Sequence, residues 1–436
     1  MNGKADHRIE TRELGVVPAD RMRPVFDGVD LAAGHGEVLG IAGTSGVGKT
    51  TLLAAISGLV PWHRPARVSG SVLVDGEPVD GLDPGQRAPL LATVLDRPES
   101  QLFLGTPHAE LEAVAALHGR GGVDTVSAFG LGPLLDRSTA TLSSGERQRV
   151  ALAIGLAATP GVPVLLDEPS AHLDAEGVAA LGEVLAEAAR EGGCVLLAEQ
   201  AGWRLGRAVR RWMSLGGGSL LPAGPPEPPA FPAPPAPPGR EIVLRARGLR
   251  LERGGRRLVA DGCLAIRRGE IVVLTGSNGA GKSVLARVLA GLERPTAGTV
   301  RRSGRVALML PSDPLQLFEP TVAREAESTG ARQEAVARVL RRHGLAALAA
   351  RAPWTLSRGE QRRLVHAVLD LLRPAVTILD EPAQGLDPEN LVRFVELLHR
   401  RAARGRACLL LTHREELGAA AHRRLAIRGG RIVEVT

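Results

Sequence analysis

Short apolar runs alternate with helical patterns in both halves of the chain. In the first half, an apolar run over residues 37–42 leads through a glycine-rich loop into a helical pattern, and a later run over 164–166 ends in two acids. The second half repeats this order, with apolar runs over 270–275 and 376–379. Strands that alternate with helices predict an α/β fold with a largely parallel sheet.

The repeat lies on both sides of a proline-rich stretch, residues 222–239, which consists almost entirely of Pro, Ala and Gly. This composition favours an extended polyproline II conformation of about 3.1 Å per residue, so the stretch could span on the order of 50 Å. A chain of 436 residues is long enough for two domains. We therefore predict domains over 1–221 and 240–436, joined by a linker that buries nothing.

A phosphate-binding loop pattern occurs once in each half. Its glycines let several backbone N–H groups face one anion, and the following helix adds the positive end of its dipole. The lysine reaches the outer phosphates, and the hydroxyl after it can bind Mg²⁺. The residues predicted to bind ATP in this way are Gly43, Ser45, Gly46, Gly48, Lys49, Thr50, Thr51, Gly276, Asn278, Gly279, Gly281, Lys282 and Ser283.

Lysine is rare elsewhere in the chain. Its three lysines are Lys4, Lys49 and Lys282, and two of them lie in these loops. A compact ammonium fits a phosphate cradle better than a forked guanidinium does, which supports the assignment.

Two adjacent acids end a later apolar run in each half, at Asp167 and Glu168 and at Asp380 and Glu381. The first acid of each pair can hold Mg²⁺, together with Thr50 or Ser283, and the second can orient or deprotonate the attacking water. Strands often end in acids, so such a pair alone is weak evidence. Its position after a phosphate loop makes a catalytic role the better interpretation.

Composition adds limited information. The net charge of +7 is compatible with a nucleic-acid or anionic membrane partner, but the arginines are scattered among acids, which favours ordinary solvated faces. Cys194, Cys263 and Cys408 lack metal-ligand spacing, so we expect small buried thiols in a reducing compartment and no zinc. We find neither a signal peptide nor an apolar run of about 18 residues, and expect no membrane span.

The segments LSSGE (142–146) and LSRGE (356–360) resemble the signature motif of ATP-binding-cassette (ABC) proteins. The resemblance implies two tandem P-loop NTPase domains of the ABC type. Each has a mostly parallel sheet core, an antiparallel β subdomain and a helical signature subdomain. In that family the lobes close head to tail, so each ATP lies between one phosphate loop and the other lobe's signature helix. The signature residues implied to contact ATP are Ser143, Gly145, Ser357 and Gly359.

The same resemblance assigns Asp174 and Asp387 to the D-loops, and it assigns the family's switch histidine to His413. The corresponding position of the first lobe is Gln200, which cannot become cationic. We therefore expect the site with Lys282, Glu381 and His413 to be the faster one. The open alternative is that Gln200 substitutes adequately and both sites hydrolyse ATP.

Other positions depart from the family pattern. The glutamine that usually links nucleotide to membrane partner is absent, and the best alignments place Asp96 and either Pro311 or Ser312 there. No aromatic residue stands where the family commonly stacks adenine, near Val17 and Arg253. Arg253 either stacks on the base through its guanidinium or is simply an exposed arginine.

The repeated QLF segments around Phe103 and Phe318 resemble those of energy-coupling-factor transporters, including the cobalt type. This resemblance implies an ATPase subunit with separate transmembrane scaffold and substrate-binding partners, which import a vitamin or metal ion. Its location would be cytoplasmic, peripheral on the inner face of the membrane. The two phenylalanines are either exposed apolar anchors for these partners or core residues.

A ribosome-associated tandem ABC translation factor is the alternative. Such proteins resemble this chain in lobe order but usually carry a long, charged, helical segment between the lobes, whereas the stretch here is short and nearly uncharged. DNA-repair cassette proteins carry large inserted modules and zinc-binding cysteines that this sequence lacks, so we expect no DNA partner.

Overall fold

The computed structural model describes residues 7–20, 22–96, 100–119, 123–236, 239–311, 316–383 and 386–435. The chain forms two compact units, whose main segments meet in sequence between Pro228 and Pro229. Lys4 and Ser312 lie outside the described residues.

The first unit begins with two antiparallel strands and then alternates strands with helices. Its elements are β1 (His7–Pro18), β2 (Phe26–Gly34), β3 (Glu37–Ala42), α1 (Lys49–Ile56), α2 (Leu59–Trp62), β4 (Ala66–Val74), β5 (Glu77–Pro78), α3 (Pro84–Arg87), β6 (Ala92–Val94), α4 (Pro107–His118), α5 (Thr125–Ala128), α6 (Ser144–Leu156), β7 (Val164–Asp167), α7 (Ala175–Arg190), β8 (Cys194–Ala198), β9 (Arg211–Gly216) and β10 (Ser219–Ala223).

Two sheets form the first unit. One has the order β2-β1-β4-β5 and is antiparallel. The other has the order β10-β9-β3-β8-β7-β6, with β9 to β6 parallel and β10 antiparallel to β9. The central strands β7 and β8 are buried throughout, as their continuous apolar runs require of a parallel sheet covered on both faces. The fold class predicted from the sequence is confirmed.

The second unit repeats this order with different lengths. Its elements are β11 (Ile242–Arg253), β12 (Arg256–Arg267), β13 (Ile271–Thr275), α8 (Lys282–Ala290), β14 (Ala297–Arg302), β15 (Val306–Met309), α9 (Val322–Glu327), α10 (Gln333–Arg342), α11 (Arg358–Leu372), β16 (Val376–Asp380), α12 (Pro388–Ala402), β17 (Ala407–Leu411), β18 (Arg423–Arg428) and β19 (Arg431–Val435).

The sheet of the second unit has the order β14-β11-β12-β19-β18-β13-β17-β16-β15. Strands β18, β13, β17, β16 and β15 are parallel, whereas β14, β11 and β12 are antiparallel. A single parallel pairing, Asp261 with Arg431, joins the antiparallel part to β19. In both units the parallel strands place the acidic pair and the phosphate loop at the same edge of the sheet.

The helices that carry the signature motifs begin in the same way. Ser143 and Ser357 are the N-caps of α6 and α11, and Glu146 and Glu360 complete capping boxes by accepting from the cap backbone N–H groups. A capping box worth about 1 kcal/mol fixes where each helix starts. The S-x-G-E pattern is therefore also a helix start signal.

The proline-rich stretch does not behave as a linker that buries nothing, and this expectation was wrong. Phe231 packs against the apolar cluster around α12, and Pro235 O lies 3.3 Å from His422 Nε2. Strand β10 extends to Ala223, inside the stretch. Pro226 lies against Gly202, where an added Cβ would approach the proline Cγ to 2.9 Å. Burial of the apolar carbons of proline and phenylalanine side chains is favourable even where the backbone forms no helix or strand.

The cysteines divide into two kinds. Cys194 and Cys408 are buried in central strands, and burial raises the pKa of their thiols to about 12 and about 11. Cys263 is exposed on β12, so the expectation of a buried thiol was wrong there. No helix in the described part of the chain is long and apolar enough to cross a membrane.

Candidate functional site

The phosphate loop of the first unit runs from the end of β3 into α1. Gly48 has φ of 114°, and a Cβ there would lie 2.5 Å from Val25 Cγ1, so the turn into the helix excludes any other residue. Lys49 folds back over the loop, and its Nζ donates to the carbonyl oxygens of Gly43 at 2.8 Å and Thr44 at 3.2 Å. Among the residues that the structure describes, no side chain caps α1. Its first N–H groups are therefore available to an anion.

The second unit reproduces this geometry. Gly281 has φ of 96°, and Lys282 Nζ donates to Gly276 O at 2.7 Å and Ser277 O at 3.2 Å. In the described part of this unit, no side chain caps α8. The remaining predicted residues of the two loops lie in the same turns or in the first turn of the following helix: Ser45, Gly46, Thr50, Thr51, Asn278, Gly279 and Ser283.

Each predicted metal ligand is a buried aspartate at the end of a central strand. Among the described residues, neither carboxylate oxygen of Asp167 or Asp380 has a hydrogen-bond partner. Burial raises the pKa of Asp167 to about 7 and that of Asp380 to about 6, although the nearby hydroxyls of Thr50 and Ser283 partly offset it. Orphaned carboxylate oxygens beside a hydroxyl form an oxygen donor set that fits Mg²⁺.

The two predicted catalytic glutamates share an unusual backbone. Glu168 and Glu381 have φ of 49° and 48°, in the left-handed region that costs a residue with a side chain about 1 kcal/mol or more. Their N–H groups donate to Ala198 O and Leu411 O of the neighbouring strand at 2.8 Å. This conformation directs each glutamate away from the strand. Their Oε1 atoms lie 3.9 and 3.7 Å from Nζ of Lys49 and Lys282.

In the second unit, Glu381 is surrounded by groups that stabilise its charge. His413 Nδ1 lies 3.0 Å from Glu381 Oε2, and the Thr412 hydroxyl donates to the same oxygen at 3.0 Å. Burial alone would raise the pKa of Glu381, but the hydrogen bond from His413 and the charges of His413 and Lys282 outweigh it, so the pKa is lowered. The lowered pKa keeps Glu381 an ionised carboxylate at neutral pH.

The first unit places a second acid where the other unit has Thr412. Glu199 is 1% exposed and accepts from the N–H groups of Ser170, Gln200 and Ala201 at 3.0 to 3.1 Å. Burial, followed by the nearby Glu199 carboxylate, raises the pKa of Glu168 well above its ordinary value, although Lys49 lowers it. The Glu199 carboxylate therefore disfavours the ionised form of Glu168.

The replacement for the switch histidine has limited contact with Glu168. The backbone N–H of Gln200 donates to Glu168 Oε2 at 3.2 Å, while its side-chain Oε1 is buried without a partner in the described part of the chain. Glu199 and Thr412 were missed at the sequence level. The sequence signal for them is the comparison of AEQ (198–200) with LTH (411–413). The two segments differ at the middle residue as well as at the last one.

The signature residues lie on the helical part of each unit. Ser143 and Ser357 are exposed at the starts of α6 and α11, followed by Gly145 and Gly359 in the first turn. Their hydrogen bonds within the described residues are those of the capping boxes, which join each serine to the glutamate three residues later. The contact of these serines with ATP stays a prediction.

The segments that follow β6 and β15 each contain a glutamine that hydrogen-bonds to the backbone and that the sequence analysis did not single out. Gln101 Oε1 accepts from Leu95 N at 2.7 Å, and Gln316 Oε1 accepts from Leu310 N at 3.0 Å. The residues after them, Phe103 at 82% and Phe318 at 81%, are exposed, which excludes a core role. Asp96 contributes to raising the Asp167 pKa, so it lies near the predicted metal site. Arg253 is exposed.

Two phosphate loops, two buried aspartates and two capped signature helices define a tandem P-loop ATPase. The model of the ABC transporter family matches residues 26–171 and 260–384. A protein of Streptomyces avermitilis named as an ABC transporter ATP-binding protein is 32% identical, with 98% of this chain and 93% of the relative covered. The chain belongs to the ABC transporter ATP-binding family and is an ATPase.

Two further similarities concern other members and the fold. A Bacillus subtilis protein named for HMP/thiamine import is 26% identical and covers 94% of this chain and 88% of its own length. The solved structure of an RNase-L inhibitor has a TM-score of 0.70 at 20% identity, covering 97% of this chain and 90% of that one. A likeness at such low identity supports the tandem fold alone.

Proposed function

We propose that this chain is the ATP-hydrolysing subunit of a membrane importer whose membrane-spanning subunits are separate polypeptides. The observation that carries the proposal is membership of the ABC transporter family over both units, with a relative named for HMP/thiamine import that spans 94% of the chain. Its cargo class is then a vitamin or a metal ion, as in energy-coupling-factor transporters. The chain acts on the cytoplasmic face of the membrane, through its partners.

The proposed ATPase lobes are residues 1–221 and 240–436, joined by 222–239. Following the family arrangement, each lobe supplies its phosphate loop to one ATP and its signature serine to the other. Lys49 and Lys282 hold the outer phosphates, and bound Mg²⁺ would neutralise phosphate charge at Asp167 and Asp380. Glu168 and Glu381 are then the groups that accept a proton from the attacking water.

Membrane partners are proposed to dock at the exposed segments after β6 and β15. Phe103 and Phe318 are large apolar side chains left in solvent on both units, and such side chains anchor partner helices in apolar pockets. A photoreactive cross-linker at Phe103 should capture an integral membrane protein. The same group at Trp62, which is 58% exposed in the same unit, is the matched control. Capture of ribosomal RNA or ribosomal protein instead would support the translation-factor alternative.

The ATPase assignment is tested by Lys282→Ala. Without the ammonium that holds the outer phosphates, we expect steady-state hydrolysis to fall at least 100-fold while the circular dichroism spectrum is unchanged. Lys4→Ala is the matched control, because it removes a lysine outside either loop. Hydrolysis by Lys282→Ala at the rate of the Lys4→Ala variant would refute the assignment of that loop.

A further inference from the structure

The antiparallel sheet of the second unit carries an array of arginines on its exposed side. Strand β11 alternates buried residues with Arg245, Arg247 and Arg250, and strand β14 adds Arg301. Arg245 is partly exposed and the other three are exposed. Arg245 and Arg247 are two residues apart and therefore point to one face at a spacing of about 7 Å. A register shift follows Arg247, so Arg250 pairs with Ala297, two residues from Thr299, and lies on the same face. We call these four arginines the basic face.

The basic face places one pair of like charges directly opposite each other. Arg245 pairs with Arg301 across the two strands, and Arg247 pairs with Thr299. Side chains in directly opposite positions are about 5 Å apart at Cβ, so this arrangement costs free energy. None of the four arginines has a hydrogen bond or ion pair with an acid in the described part of the chain. The nearest acid on β11, Glu252, is paired with Arg257 at 3.6 Å.

The first unit has the same strands without this array. There Glu10 pairs with Leu73, and Arg12 pairs with Ser71, at the positions of Arg245 with Arg301 and Arg247 with Thr299. Arg12 is neutralised by Glu10 at 2.7 Å. A general preference for arginine would act on both sheets equally. Positive charge without an acidic partner is therefore specific to the second unit. An anionic partner would bind to that unit and not to the first.

We propose that the basic face binds anionic phospholipid headgroups at the membrane surface. A flat array of guanidinium groups at about 7 Å spacing can donate to several phosphates of a bilayer at once. Single-stranded nucleic acid is the less suitable partner, because it binds sheets by stacking bases on aromatic side chains. Strands β11, β12 and β14 contain no aromatic residue.

Such a surface would hold the second unit to the membrane independently of its protein partners. Each basic side chain near an anionic leaflet contributes about 1 kcal/mol, or about fivefold in affinity. Four arginines therefore give reversible binding that strengthens docking to membrane subunits. The binding needs neither ATP nor those subunits, so it is separable from the proposed transport function.

The test is sedimentation of the full chain with vesicles of phosphatidylcholine alone or mixed with phosphatidylglycerol. We expect binding only to the mixed vesicles, weakening as salt rises. Arg245→Gln with Arg301→Gln should reduce the affinity about 25-fold, since two charges are lost. ATP hydrolysis in solution should stay unchanged, and thermal stability should not fall, because the change removes a repulsion.

The matched control is Arg207→Gln with Arg210→Gln, two exposed arginines of the first unit, which should alter vesicle binding less than about twofold. Equal losses in the two double variants would overturn the proposal, since only net charge would then matter. Equal binding to neutral vesicles would also overturn it. A third arm uses a fluorescent 20-nucleotide RNA. Binding of this RNA through the basic face, without binding to vesicles, would replace the membrane proposal with a nucleic-acid one.

Discussion

The two units give their proposed catalytic glutamates the same backbone conformation and opposite electrostatic surroundings. Glu168 and Glu381 leave their strands with nearly the same φ and bond to equivalent strand carbonyls. The pKa of Glu381 is lowered beside His413 and Thr412, whereas that of Glu168 is raised by burial and by Glu199. The comparison teaches that one backbone position can be kept in both units while its neighbours shift the pKa of its side chain in opposite directions.

The helical parts of the units differ in a second way. Counting from the signature serines and D-loop aspartates, four buried apolar positions of the first unit correspond to four polar ones in the second. The apolar set is Phe129, Leu152, Leu156 and Ala188. The polar set, which we call the buried quartet, is His366, Asp370, Arg401 and His343, whose side chain is 8% exposed.

The buried quartet ties α11 to α10 and α12. Asp370 accepts from Arg401 Nε at 2.9 Å and lies 3.1 Å from His343 Nε2, while Arg401 Nη2 donates to His366 O at 3.1 Å. Burial would raise the pKa of Asp370, but the bonds from His343 and Arg401 outweigh it and lower the pKa. In the first unit, the corresponding apolar residues pack together in one hydrophobic cluster.

The sharpest way to break the comparison of the two ATP sites is to neutralise one glutamate at a time. We expect Glu381→Gln to lower single-turnover ATP hydrolysis 10²- to 10⁴-fold, because it removes the ionised proton acceptor. Glu168→Gln should lower hydrolysis less than about threefold, because this site has Gln200 in place of the histidine and already turns ATP over slowly. Equal losses would mean that both sites hydrolyse ATP, and a larger loss from Glu168→Gln would reverse the assignment.

The buried quartet gives the next largest effect, on stability. Arg401→Ala leaves Asp370 buried without its main partner and should lower the free energy of unfolding by about 3 kcal/mol in urea titrations of the full chain. Replacing the whole quartet by the apolar set of the first unit should change it by less than about 1.5 kcal/mol. If the single and the fourfold variant lose the same free energy of unfolding, the unpaired charge of Asp370 is not the cause of the loss in Arg401→Ala.

The first site can be converted toward the second. In a Glu381→Gln background, Glu199→Thr with Gln200→His should raise single-turnover hydrolysis about 10- to 100-fold, because it removes a competing carboxylate and adds a positioned imidazole. Glu199→Thr alone is the control that separates these two contributions. A double variant that stays as slow as its parent would place the defect of the first site elsewhere.

The smallest predicted effect is a pH dependence of stability in the second unit. Burial, followed by the charges of Arg401, His343 and Arg362, lowers the pKa of His366 well below its ordinary value, although Asp370 acts in the opposite sense. The neutral ring therefore contributes full stability above pH 6.5. Below it, stability falls by up to about 1.4 kcal/mol per pH unit, as the unfolded chain takes up the proton.

His366→Leu, which copies Leu152, should reduce the drop in thermal midpoint between pH 7.5 and pH 5.5. The parent chain and the variant are compared in the same buffers. The same drop in both would show that His366 is not the group that titrates.

The sequence predicted the α/β fold and the positions of the chemical groups because these depend on short local patterns. A phosphate loop specifies its own turn and helix start, and S-x-G-E specifies a helix cap. The electrostatic state of Glu168 could not be predicted in this way. It depends on how closely β8 returns beside β7 and so brings Glu199 near. The buried quartet was equally hidden, since His343, Asp370 and Arg401 are far apart in sequence.

The contacts of the proline-rich stretch also have a practical consequence for engineering. Pro226 rests on the first unit and Phe231 on the second, so each half of the stretch is packed against the unit it adjoins. A protein made as two polypeptides, divided between Pro228 and Pro229, would leave each fragment with its own anchoring residue. Co-expression of such fragments would allow each ATPase lobe to be isotope-labelled separately for NMR.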